Sequence, residues 1–348
     1  MSLLLQPPSA HFHHRRSLLR TALAAPLVPL LGACDTPERK DELVIGGLPV
    51  TCNLTLPIAC SAKSASLAKG QGAPTAFRYA KYGGWPELKE SLMAGRVQAA
   101  YMLAPLVMDL TNASIPLKVV SLGHRSGAVI MVRTDSPFRR FADLRGKRVA
   151  IPSRFAVDYI FLRKMLAREG MTPDDLTIYE MAPPEMPAAL YADAVDAYCT
   201  GEPFGSAAQR AGYARPLSMT RDEWPNYICC VLTVRQDLID QRREVVQDLV
   251  NHIQSAGDWL DASPANRTKA ANIAASRQFF NQDPKVLQFV MENPADRVTY
   301  GDLRMLPAEF DELMHLSLQA KTLKRPALFE QYADESFVKA VSPVPIQL

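Results

Sequence analysis

Polar side chains that suit a small anion follow several of the short apolar segments in this chain of 348 residues. The indole N–H of Trp85 can only donate a hydrogen bond, and Arg154 offers a planar guanidinium that matches an oxyanion. Ser153 and Arg154 precede a predicted helix at 157–169, so an anion there would also meet backbone N–H groups and the positive end of the helix dipole. By this chemistry and by position, ten residues are candidate ligand contacts: Thr51, Asn53, Tyr82, Trp85, Ala104, His124, Arg125, Ser153, Arg154 and Glu202.

Each candidate also has a purely structural interpretation. Trp85 could belong to the core, Arg154 could lie on the surface, and His124 could be hydrogen-bonded inside the protein. Glu202 could bind a cation or brace its surroundings. The residue types and their spacing leave these alternatives open.

The segments that position these residues alternate between β-type runs and amphipathic helical patterns, which predicts an α/β fold with mainly parallel sheets. Strands are expected at 43–47, 77–80, 97–103, 118–122, 129–133, 148–151, 176–179, 195–199 and 227–234. Helices are expected at 57–69, 85–93, 157–169 and 184–192, and then at 237–260, 264–277, 283–293 and 307–321. We expect one lobe from 43–135 and 227–348, and a second lobe from the inserted segment 136–226. Two crossings make a hinge and a cleft, and ligands of such sheets bind beyond the carboxyl ends of the strands.

The first 34 residues have the features of an export signal. Arg15 and Arg16 resemble the twin-arginine motif, although general secretory export fits as well, and Leu31-Gly32-Ala33-Cys34 resembles a bacterial lipobox. The resemblance implies lipidation of Cys34, and Asp35 implies retention at the inner membrane. Residues 35–42 are expected to form a tether in the periplasm.

Charge and cysteine content exclude several classes of protein. Beyond the export signal, basic and acidic residues balance, which argues against a nucleic-acid-binding protein. Cys52 and Cys60 could form a disulfide, whereas Cys229 and Cys230, as neighbours on a strand, are expected to pack separately rather than bind metal. We recognise no zinc spacing, catalytic motif or cofactor motif, so the sequence predicts neither an enzyme nor a metal site nor a cofactor.

Three segments resemble a known family. Phe141–Ile151 is similar to a "DLkGKkVa" motif, and the stretches 181–186, 195–197 and 201–204 are similar to "PP.M…vDa…GEPw". The stretch 87–105 is similar to "l..G..dgahmla.p". These motifs are typical of the nitrate-, sulfonate- and bicarbonate-binding proteins of ABC importers. The resemblance implies a type II periplasmic-binding-protein fold that closes, as a monomer, on a small anionic or zwitterionic solute and delivers it to a membrane permease.

One position departs from the family pattern. Nitrate- and bicarbonate-binding members tend to carry a His before the helix in which this chain has Asp158. An ionised carboxylate cannot donate a hydrogen bond to an anion. Asp158 therefore implies a ligand with a positive group, such as an aminosulfonate, or an accompanying cation, or a side chain turned outward. Two further alternatives are an enzyme that resembles thiamin-pyrimidine synthesis proteins and a periplasmic ligand or redox sensor.

Overall fold

The computed structural model describes residues 41–348. The predicted export signal, Cys34 and most of the tether therefore lie outside the described residues. No helix within 41–348 is both long enough and apolar enough to cross a membrane.

The first of two five-stranded sheets has the order β2-β1-β3-β11-β4. Its strands are β1 (Glu42–Gly47), β2 (Ala76–Lys81), β3 (Ala99–Leu103), β4 (Leu117–Leu122) and β11 (Cys230–Arg235). β1 runs parallel to β2 and β3, whereas β11 runs antiparallel to both of its neighbours. Every residue of β3 is buried, as expected for a central strand with both faces covered.

The second sheet has the order β10-β6-β9-β7-β8. Its strands are β6 (Ala128–Arg133), β7 (Arg148–Ile151), β8 (Thr177–Glu180), β9 (Ala197–Gly201) and β10 (Ala214–Met219). β7 is parallel to β8 and β9, while β6 and β10 are antiparallel additions. The sequence analysis missed β10, which contains Pro216. Proline is tolerated there because β10 is an edge strand with a register shift after Pro216.

Helices cover the sheets. The longer ones are α1 (Thr55–Ala68), α2 (Trp85–Met93), α3 (Ala104–Asn112), α4 (Val157–Arg168), α8 (Gln236–Ala262), α9 (Pro264–Ala275), α10 (Pro284–Glu292) and α11 (Pro307–Gln319). The shorter ones are α5 (Met186–Tyr191), α6 (Phe204–Arg210), α7 (Thr220–Glu223), α12 (Phe329–Tyr332) and α13 (Ser336–Lys339). The predicted helical carboxyl-terminal region is confirmed. α1 packs on β2 and α8, and α3 packs on β3, β4 and α11.

The chain crosses between the lobes earlier than the sequence predicted. We assigned 129–133 to the first lobe, but β6 pairs with β9 and β10 in the second sheet. The first crossing therefore lies at Gly127, whose φ of 105° is a conformation that glycine adopts readily. Just before it, β5 (Arg125–Ser126) pairs with β12 (Val298–Thr299). The second crossing lies between α7 and β11, and an opening lined by Trp85 and Ser153 remains between the two lobes.

Candidate functional site

The turn after β1 connects the two lobes. Thr51, Cys52 and Asn53 form a buried 3-10 turn that leads into α1. The backbone nitrogen and the Oγ1 of Thr51 both donate to the Glu202 carbonyl oxygen in the second lobe, at 2.8 and 3.0 Å. Asn53 Oδ1 accepts from the Leu48 N–H at 2.8 Å, and its buried Nδ2 has no hydrogen-bond partner within residues 41–348. The lobes are therefore in contact directly beside the predicted site.

Glu202 braces this contact. Its fully buried carboxylate lies 2.5 Å from Arg297 Nη1 and also accepts from the Ser206 N–H at 2.8 Å. Arg297 comes from the carboxyl-terminal region, so the ion pair joins the two lobes. Both carboxylate oxygens are occupied, which places Glu202 in a structural role in this conformation.

Arg125 is buried and committed to intramolecular partners. Its Nη1 and Nη2 donate to the Glu309 carboxylate at 2.8 and 3.0 Å, and its Nε donates to the Asp302 carbonyl oxygen at 2.6 Å. Nη1 also donates to the Asn226 carbonyl oxygen at 2.9 Å. The guanidinium predicted to bind an anion thus binds α11 and the second crossing instead.

Arg154 lies at the rim of the cleft. Its side chain is about half exposed, with Nε 3.4 Å from Glu180 Oε1 and Nη1 3.3 Å from the Tyr159 hydroxyl. The Ser153 hydroxyl accepts from the Phe155 N–H at 3.2 Å. Ser153 also lines an opening of about 350 Å³ between the lobes.

Trp85 lines the same opening from the first lobe. It begins α2, and only 5% of its surface is exposed. Its indole Nε1 is buried without a partner in the described chain. Tyr82 is half-buried, and its ring packs against Gly46, where an added Cβ would lie 3.3 Å from it. Ala104 is buried at the first position of α3.

Asp158 lies in the first turn of α4 and is buried, which excludes an outward orientation in this conformation. Its Oδ1 has no partner among the residues described. Burial raises the pKa of this carboxyl to about 7, since the ionised form loses its hydration. The second lobe thus presents a carboxyl that titrates near neutral pH.

His124 follows β4 and is fully buried. Burial lowers its pKa to about 4, so the imidazole is neutral at pH 7. Nε2 lies 3.4 Å from the Cys230 backbone nitrogen, and Nδ1 has no partner in the described region. Because Nε2 accepts from the Cys230 N–H, the neutral ring carries its proton on Nδ1, which is free to donate to a ligand.

Three thiols surround this imidazole. The ligand atoms of Cys52, His124, Cys229 and Cys230, here called the thiol cluster, lie within 4.8 Å of one another, and all four residues are buried. The Cys229 and Cys230 sulfurs are 3.9 Å apart, so the prediction that these two residues pack separately is wrong. Cys52 and Cys60 are both free thiols here and are not paired as the sequence suggested.

Strand direction explains why the sequence analysis missed the thiol cluster. We considered only carboxyl ends of strands, which located the loops of Cys52 and His124. Because β11 runs antiparallel to β3 and β4, its amino end, with Cys229 and Cys230, lies at that same edge of the sheet. The adjacent cysteines before an apolar strand were the available signal.

Known proteins share this architecture. A nitrate/nitrite-binding protein, NrtA, from Nostoc is 24% identical over 65% of this chain and 58% of its own length. The chain thus matches little more than half of that relative. The ligand-binding component of an ABC-type import system from Staphylococcus aureus, solved with zinc bound, is 27% identical with a TM-score of 0.77, over 87% of this chain and 100% of that one.

An alkanesulfonate-binding protein, SsuA, from Xanthomonas axonopodis, solved with MOPS, shares the fold. It is 20% identical with a TM-score of 0.70, over 85% of this chain and 98% of that one. These comparisons confirm the resemblance to nitrate- and sulfonate-binding proteins and the fold that it implied. A family model described as NMT1-like matches residues 36–275, and the chain therefore belongs to the NMT1-like family.

Proposed function

We propose that this protein is the solute receptor of an ABC importer and that it captures a small oxyanion or sulfonate between its lobes. The observation that carries the proposal is a set of buried polar atoms without partners, contributed by both lobes: Trp85 Nε1, His124 Nδ1 and Asp158 Oδ1. A buried polar group left unpaired costs about 1–3 kcal/mol. A polar solute in the cleft would satisfy these groups, and the relatives named for nitrate and alkanesulfonate support its chemical class.

The proposal includes a location and partners. Lipidation of Cys34 would hold the receptor at the periplasmic face of the inner membrane, beside the permease subunits that receive the solute. Export by either the twin-arginine or the general secretory route fits the signal. Metabolic labelling with a fatty acid should mark the wild-type protein but not a Cys34→Ala variant, and equal labelling of the two would contradict lipid anchoring at this residue.

Asp158 favours a zwitterion within this ligand class. At pH 8 its carboxyl is mostly ionised, because its pKa is about 7, and it would attract an ammonium group. Taurine should therefore bind more tightly than ethanesulfonate, which differs mainly by lacking the amine. The preference should weaken at pH 6, where the carboxyl is mostly protonated.

The test is a melting-temperature panel of nitrate, bicarbonate, taurine and alkanesulfonates on the purified, metal-free protein, with choline as a cationic control. A solute present at about 100 times its Kd stabilises the folded state by about 2.7 kcal/mol. Small-angle scattering would report whether the lobes stay closed. If no anion raises the melting temperature, the oxyanion class is wrong.

The enzyme alternative has less support. A cysteine nucleophile needs a lowered thiol pKa. Burial raises the pKa of Cys199 well above its usual value, and the hydrogen bond to Cys229 together with burial does the same for Cys52. Neither thiol is activated for nucleophilic catalysis.

A further inference from the structure

The thiol cluster is assembled entirely from the first lobe. Cys52 comes from the turn after β1, His124 follows β4, and Cys229 and Cys230 stand at the amino end of β11. The backbone geometry of one sheet edge fixes all three segments. The first lobe therefore supplies all four potential ligands.

Its geometry matches that of a tetrahedral metal site. Zinc–sulfur bonds of about 2.3 Å place two ligands at the corners of a tetrahedron about 3.8 Å apart. The Cys229 and Cys230 sulfurs are 3.9 Å apart, and no pair of the four ligand atoms exceeds 4.8 Å. A bound ion would need to draw the outer ligands inward by about 1 Å or less.

The chemistry of the donors selects the class of ion. Three cysteine sulfurs and one imidazole form the Cys3His set that is common for Zn²⁺, and thiolates also favour Cu⁺. Mg²⁺ and Ca²⁺ prefer oxygen ligands. His124 Nε2 accepts from the Cys230 N–H, so the neutral ring carries its proton on Nδ1. Metal binding through Nδ1 therefore requires the ring proton to move to Nε2, whereas binding through Nε2 displaces the Cys230 N–H.

The second lobe forms the roof of this site. A Cβ at Gly201 would lie 3.1 Å from the Cys52 sulfur, so β9 closes tightly over the thiol cluster. Asp158, with its unpartnered Oδ1, acts electrostatically on the thiols of Cys52, Cys229 and Cys230. An ion held by the first lobe would be sealed from solvent when the lobes close.

We propose that Cys52, His124, Cys229 and Cys230 bind a thiophilic metal ion with a filled d shell, Zn²⁺ or Cu⁺, at the lobe interface. The metal site itself stands on geometry alone. A role for the ion in transport, either as the solute itself or as a ligand of the solute, rests on the proposed function. Binding of Zn²⁺ releases protons from the thiols as the metal–sulfur bonds form.

The test uses the reduced protein under anaerobic conditions. Zn²⁺ affinity is measured by competition with a chromophoric chelator, and Cu⁺ affinity with a Cu⁺-specific chelator in a separate arm. We expect one ion per chain in at least one arm. Co²⁺ substitution should produce a thiolate-to-metal charge-transfer band, a readout that is independent of transport.

Cysteine variants locate the site. Cys52→Ser, Cys229→Ser and Cys230→Ser should each lower the affinity at least on the order of 100-fold, the upper range for loss of an outer-shell partner. The matched controls are Cys60→Ser and Cys199→Ser, which alter equally buried free cysteines outside the thiol cluster. Circular dichroism identifies any variant that fails to fold. If a cysteine variant does not fold, His124→Gln tests the metal site with all three thiols in place.

The outcomes separate this proposal from the proposed function. No stoichiometric binding of either ion, or equal losses in the controls, would overturn the metal site while leaving anion binding to be judged by its own panel. Metal binding that depends on the thiol cluster supports the site whether or not any anion binds. A Cys229–Cys230 disulfide in the isolated protein, with no metal uptake after reduction, would also overturn it.

Discussion

The cationic groups and the thiol cluster at the lobe interface differ in how completely they are partnered. Arg125 binds Glu309, Arg297 binds Glu202, and Arg154 contacts Glu180. The thiols and His124, by contrast, have mainly one another. Of the groups that the sequence assigns to an anion, Arg125 and Glu202 are used by the protein itself, whereas Trp85 Nε1 and His124 Nδ1 have no partner among the described residues.

Electrostatics explains this difference. A buried charge without a partner is costly, and within residues 41–348 the buried guanidinium groups of Arg125 and Arg297 are each matched by a carboxylate. A thiol or a neutral imidazole can be buried at much lower cost. Buried sites that stay available for a ligand are therefore more readily built from neutral groups than from charged ones.

The largest expected effect concerns a buried arginine–carboxylate pair. Glu202→Gln leaves the Arg297 guanidinium buried without its counter-charge, and breaking a buried pair in this way costs about 3–5 kcal/mol. We expect the free energy of unfolding in urea to fall by that amount. The double variant Glu202→Gln with Arg297→Met removes both charges and should recover much of the loss. Unchanged stability of the single variant would contradict the role of Glu202 as a brace.

A second prediction concerns Asp158, whose pKa burial raises from 3.8 to about 7. The folded state then binds a proton that the unfolded state has released between about pH 4 and 7, so stability falls as pH rises through this window. The loss should reach roughly 4 kcal/mol above pH 8, by the relation between pKa and free energy. The titratable groups that interact with this carboxyl are buried and neutral at these pH values: Cys52, Cys199, Tyr227, Cys229 and Cys230.

Urea unfolding of the metal-free protein at several pH values checks this prediction. Asp158→Asn should flatten the dependence between pH 4 and 8, because the amide does not titrate. Asp109→Asn is a suitable control, since Asp109 is a partly buried aspartate on a different helix, α3. If the two variants show the same slope, the raised pKa of Asp158 is wrong.

Much of the fold could be predicted because periodicity is a local property. The bounds of α2 agree with the prediction at 85–93, since Gly84 precedes the helix and Gly95 follows its last turn. Pairing is not local, which is why β6 was assigned to the wrong sheet. An apolar strand such as Ala128–Arg133 suits either lobe, and only its partners β9 and β10 decide.

The candidate site was less predictable for the same reason. Nothing near Arg125 in the sequence indicates that Glu309 will neutralise it, because the two residues are distant along the chain. The thiol cluster likewise unites three segments that are distant along the chain, and its recognition needs the antiparallel direction of β11. Strand-end reasoning located Cys52 and His124 but not their partners.

A third prediction concerns Arg154, whose side chain is more exposed than those of Arg125 and Arg297. Its contact with Glu180 is at the surface, so Arg154→Ala should change stability little. If Arg154 turns toward the solute on binding, the affinity for a sulfonate should fall by about 1.5–3 kcal/mol, the value of a hydrogen bond to a charged group. Isothermal titration calorimetry measures this, and Arg140→Ala, at another exposed arginine in the second lobe, is the control. If Arg154→Ala and Arg140→Ala have the same affinity for the sulfonate, Arg154 does not contact the bound anion.

Substitution of Trp85 gives the smallest expected effect and distinguishes the anion site from the thiol cluster. Trp85→Phe keeps a ring in the opening but removes the unpartnered indole N–H, so stability should stay the same or rise slightly. Affinity for an oxyanion should fall by about 0.5–1.5 kcal/mol, the net worth of one hydrogen bond. The matched control is Trp259→Phe on α8, and titration calorimetry measures both variants. Zinc affinity should not change in Trp85→Phe, because the indole is not a metal ligand. A loss of zinc affinity without a loss of anion affinity would reverse the assignment of the opening to the solute and of the thiol cluster to the metal.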